Sequence, residues 1–84
     1  MKTRGLNIEY RSIYSDTFWV LKVINSADSL SHKGALEKLI VNFNRKHLPA
    51  DPSLEDLEML TTFNNVLRES LRETLKRIRK SKVV

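Results

Sequence analysis

The sequence predicts a mainly helical protein that opens on a short β-ribbon, and three observations carry that reading. From residue 53 to 80, Leu57, Leu60, Phe63, Leu67, Leu71, Leu75 and Ile78 recur at spacings of three and four, one apolar stripe of a long helix. Leu36, Leu39, Ile40 and Phe43 repeat that period within residues 30–47. At the start, Leu6, Ile8 and Tyr10 alternate with Asn7, Glu9 and Arg11, the period of two that suits a half-exposed strand.

Each element follows from local chemistry. The ribbon is placed at about 6–11. The next segment, about 15–26, reads as a helix capped by Ser15 or Asp16, yet the β-branched and aromatic residues of Thr17-Phe18-Trp19-Val20-Leu21-Lys22-Val23-Ile24 also suit a strand. An all-α three-helix dimer and an α+β fold with an N-terminal β-hairpin therefore stand as alternatives. The helix at about 30–47 has Asp28, Ser29 or Ser31 as its cap and ends ahead of Pro49, because proline disfavours helical geometry in the residue before it. Gly34, near its start, costs up to about 1 kcal/mol against alanine. The last helix, about 53–80, begins either with Asp51 as cap and Pro52 in the first turn or with Ser53 and Asp56 as a capping pair. Glu55, Asp56 and Glu58 near its start and Lys76, Arg77, Arg79 and Lys80 near its end match the helix macrodipole.

With 84 residues, the chain has room for one small domain, 1–84, comprising a ribbon and helix core at 5–46 and a long amphipathic helix at 53–82. A domain of this size buries only roughly 60–65% of the surface its unfolded chain exposes. Zero cysteines exclude a disulfide framework, a zinc ribbon and a thiol nucleophile. His32 and His47 have no carboxylate at metal-ligand spacing, and the serines lie at caps and turns, so neither an enzyme nor a cofactor is expected. Lys2 and Arg4 are followed by no unbroken apolar stretch, and the densest apolar run, Phe18 to Ile24, is far shorter than the roughly 20 residues of a membrane span. A cytoplasmic protein without a membrane span is the expectation.

The formal charge of +5 is local: residues 68–82 hold seven Lys/Arg against two Glu, and the rest of the chain is balanced. Such a patch steers a protein toward a polyanion or an acidic surface. Arg68, Arg72, Arg79 and Lys80 are the candidates for contact with a duplex backbone, and a solvated helix end favoured by the dipole is the plainer reading of the same residues. Only Lys22 is charged between Thr17 and Ile24, so both faces of that segment are apolar and self-association is the simplest way to cover them. Leu6, Ile8, Tyr10, Trp19 and Val23, with Met59 and Val66 off the main stripe, are the candidate interface of a homo-oligomer.

Leu6-Asn7-Ile8-Glu9-Tyr10, the helical pattern behind it, and the stretch from Ser29-Leu30-Ser31 through Ala35-Leu36, Leu39-Ile40 and Phe43 resemble the ribbon-helix-helix repressors of the phage Arc and Mnt type. That resemblance covers residues 5–46. It implies an obligate dimer, base contacts from Asn7 and Arg11, a phosphate held near Ser31, and a C-terminal helix that assembles dimers into tetramers. A second run, Val23-Ile24, Leu30-Ser31-His32-Lys33, Leu36, Leu39 and Ile40, resembles the small AriR-type connector proteins of two-component signalling, which are helical dimers acting through partner proteins. The expectation is a non-enzymatic DNA-binding transcriptional regulator working as a homo-oligomer. The alternative is a helical adaptor or inhibitor that binds a regulatory protein and not DNA.

Overall fold

The computed structural model describes residues 7–82. It consists of helices α1 (Tyr10–Asn25), α2 (Lys33–His47) and α3 (Leu54–Lys82), with a 3-10 turn at Leu30–His32 leading into α2. Contacts in step along two helices show that α1 and α3 run parallel. Asn7 meets Asp56, Tyr14 meets Phe63, and Asn25 meets Ser70, Thr74 and Arg77. Between them in the chain, α2 runs the other way, bringing Lys46 and His47 back to Asp16.

No strand occurs among the described residues, so the ribbon expected at 6–11 is absent, as is the hairpin, and the all-helical alternative fits. Leu6 lies outside the described residues. Tyr10 and Arg11 already belong to α1, and the helix expected from 15 starts five residues earlier. Two unrelated causes produced the period of two. Ile8 is a core residue, 6% exposed, that enters before the helix begins, whereas Tyr10 is the first member of a helical row. The amides of Asn7 and Ile8 do not join a ladder; the Asp56 carboxylate accepts both, at 2.8 and 3.2 Å. From there Ile13, Thr17, Val20 and Ile24 are buried at helical spacing, and this packing overrides the β-propensity of the segment. The hydroxyl of buried Thr17 donates to the Ile13 carbonyl at 2.7 Å. Ser15 and Asp16, the expected caps, sit inside the helix.

The other boundaries follow their capping chemistry. Ser29 starts the 3-10 turn, its hydroxyl accepting the Ser31 amide at 3.2 Å. The extended Leu48 ends α2 ahead of Pro49. At the head of α3 the Ser53 and Asp56 reading is the one observed: the Asp56 amide donates to Ser53 Oγ at 3.1 Å and the Ser53 amide to Asp56 Oδ2 at 2.8 Å. This is a capping box with aspartate in the reciprocal position.

Ile13, Val20, Ile24, Leu36, Ile40, Phe43, Leu60, Leu67, Leu71 and Ile78 form the shared core. Of the predicted stripe of α3, Leu60, Leu67, Leu71 and Ile78 are buried, Phe63 and Leu75 are half-buried against the core, and Leu57 is exposed.

Candidate functional site

The parallel pairing of α1 and α3 leaves a long side face on which apolar residues gather. Tyr10, Tyr14 and Phe18 fall at spacings of four and form a row down α1, exposed by 54, 48 and 60%. The Tyr10 and Tyr14 rings stack at 5.6 Å, Phe18 meets Tyr14 edge-on at 5.7 Å, and Phe63 of α3 meets Tyr14 edge-on at 6.5 Å. Met59, half-buried, and Val66, exposed, extend the patch along α3. Tyr10, Met59 and Phe63 line a shallow groove with Glu55, Glu58 and Thr62. Phe18 and Leu21 line a second shallow groove with Lys22, Asn25 and Ser26. The row is a contiguous apolar patch, unlike the singly scattered apolar residues common on protein surfaces.

The sequence reading placed Tyr10, Met59 and Val66 on an interface, and the structure brings these three to one face. Trp19 is exposed on the opposite side of α1, beside Leu39, Asn42 and Lys46 of α2. Val23 is half-buried against the core, and Ile8 belongs to the core itself. Tyr14, Phe18 and Phe63 were missed. The signal for the first two was present, since Tyr10, Tyr14 and Phe18 are four apart, but it becomes legible only once the helix starts at residue 10 and not at 15.

The residues expected to contact nucleic acid are dispersed. Asn7 is engaged within the fold: its side-chain amide donates to Asp56 Oδ2 at 2.9 Å. Arg11 is exposed in the first turn of α1. Ser31 lies in the 3-10 turn with its amide and hydroxyl both on the Ser29 hydroxyl. Arg68, Arg72, Arg79 and Lys80 are all exposed on α3. The first three fall at i, i+4 and i+11, hence on one side of the helix, with Arg72 at 3.4 Å from Glu69.

Two carboxylates are tuned by their surroundings. At Asp56, burial pushes the carboxyl up, but the amides of Ser53, Asn7 and Ile8 and the Asn7 side chain outweigh it and hold the group down to about 2. The Lys46 ammonium, 2.8 Å away, holds Asp16 below its ordinary value against partial desolvation, aided by His47 at 2.8 Å. His47 is tucked against Phe43, ring centroids 5.0 Å apart. Both clusters join helices: Asp56 ties the lead-in of α1 to α3, and Asp16 ties α1 to the end of α2. Among the described residues no three carboxylate or imidazole groups come together to hold a metal, and no described helix is long and apolar enough to cross a membrane. Comparison with protein-family models, curated proteins and solved structures finds no significant match.

Proposed function

We propose that this protein is a small helical regulator that acts by binding another protein chain, with the α1/α3 face as its contact surface. The observation that carries this reading is the row Tyr10, Tyr14 and Phe18, continued by Met59, Phe63 and Val66, left open to solvent on one face. Aromatic residues supply large contact area at low entropic cost and dominate protein interfaces, whereas charged groups are depleted from interface centres. The two carboxylates with the most partners, Asp56 and Asp16, serve in capping and in tying helices together. A benzophenone amino acid at position 18 should cross-link a defined protein in living cells, with position 38 as a polar control on α2; cross-linking at 38 but not at 18 would contradict the reading.

A second reading, duplex nucleic acid held by the end of α3, draws on the alignment of exposed Arg68, Arg72 and Arg79. It requires affinity that falls with salt at a slope of about −0.9 per phosphate contacted. No binding to duplex DNA at low salt eliminates it.

A further inference from the structure

We infer that the flank of α3 turned away from α1 is a phosphate-backbone site for duplex nucleic acid, formed by Arg68, Arg72, Lys76 and Arg79. The inference rests on the duplex reading above and deepens it, naming the contacts, their number and their independence of the aromatic face.

The first argument is placement. All four cations are exposed. Helix α3 meets α1 through Phe63, Ser70, Thr74 and Arg77. Arg72 stands about two and a half turns along from Phe63, hence on the opposite side of the helix. Arg68, Lys76 and Arg79, at i−4, i+4 and i+7 from Arg72, share that side. Arg68, Lys76 and Arg79 form no ion pair among the described residues, and Arg72 meets only Glu69, at 3.4 Å, with both side chains more than half exposed. Glu69 and Glu73 border one edge of the stripe, yet across residues 68–82 cations outnumber acids by seven to two. The helix dipole favours cations within the last turn. It therefore accounts for Arg79 and Lys80 but not for Arg68 and Arg72, which stand roughly four and three turns ahead of the end at Lys82.

The second argument is chemistry. From Arg68 to Lys80 every apolar residue of α3 is buried or half-buried. The stripe thus lacks both the apolar centre of a protein interface and the apolar anchors that seat a helix on a membrane. No aromatic residue lies between 68 and 82, so stacking on single-stranded bases is not available to it. What it offers is charge in a line, and Arg68, Arg72 and Arg79 carry guanidinium forks that fit phosphate. Arg68 to Arg79 covers about 16 Å of helix, a length over which one strand of a duplex carries about five phosphates. A duplex bound there leaves Tyr10, Tyr14 and Phe18 free, so nucleic acid and a protein partner can be held at the same time.

Fluorescence anisotropy of the full chain on two labelled DNA duplexes of unlike sequence tests the site. Both should bind with similar affinity, falling with salt at a slope of about −3.6, the value for four phosphates. Arg68→Gln combined with Arg79→Gln should weaken binding about tenfold at low salt and reduce the slope by about 1.8. Lys38→Gln combined with Arg45→Gln, which removes the same charge from exposed positions on α2, should change it about twofold or less. Tyr14→Ser should leave it as it is, and circular dichroism confirms that each variant is folded. No binding at low salt overturns the site and the duplex reading together. Binding that the α2 pair weakens as much as the α3 pair, or that Tyr14→Ser abolishes, overturns the site while the duplex reading stands elsewhere on the molecule. A strong preference for one of the two duplexes shows base contacts and overturns a backbone site. Binding to phosphatidylserine vesicles in place of the duplexes, lost in the α3 pair, gives the stripe to a lipid surface and overturns it as well.

Discussion

Asp56 holds together more of the molecule than a first-turn carboxylate ordinarily does. It completes the capping box of α3 through the Ser53 amide and, from the same two oxygens, takes the Asn7 and Ile8 amides and the Asn7 side chain. The entry into α1 is thereby fixed to the start of α3, and the aromatic row is set in line with Met59 and Phe63. Its carboxyl, lowered from 3.8 to about 2, adds stability that is complete above about pH 4 and is lost as pH falls through about 2. Acid titration followed by circular dichroism should show the melting temperature falling across that window. In Asp56→Asn the melting temperature at pH 7 should be lower and its dependence across the window shallower, whereas Ser53→Ala, which removes one cap acceptor, should cost about 1 kcal/mol. An unchanged acid profile in Asp56→Asn would show that other carboxylates govern acid unfolding.

Among the elements, α2 and α3 were legible because each obeys a single rule: an apolar period of three and four closed by a strong terminator. Pro49 ended α2, and Ser53 with Asp56 started α3. The N-terminal segment obeyed two rules in turn. A core residue ahead of the helix and an aromatic within it, two positions apart, read as a strand, and only the long-range bonds from Asp56 to Asn7 and Ile8 reveal a lead-in. No local pattern announces an acceptor 48 or 49 residues away. The candidate site shared this fate, since moving the start of α1 to Tyr10 is what aligns Tyr14 and Phe18 with it. Gly34 shows the opposite case, a sequence feature without structural demand. A methyl group added there meets nothing within 4 Å, so Gly34→Ala should stabilise α2 by up to about 1 kcal/mol, read from denaturant midpoints; destabilisation would mean that its backbone has a role in packing.

At the scale of the whole molecule, the helices enclose one core and leave the aromatic row of α1 exposed beside α3, with Trp19 exposed on the other side of α1. The up, down, up course sets α1 parallel to α3, and that arrangement lines the aromatic row of α1 up with Met59 and Phe63. The face is tested most directly by photo-cross-linking in living cells from a benzophenone amino acid placed at position 14 and, separately, at position 19. A defined protein should be captured from 14, on the aromatic row, and the capture should be lost when Tyr10→Glu is added. Capture from 19 but not from 14 would contradict the assignment of this face.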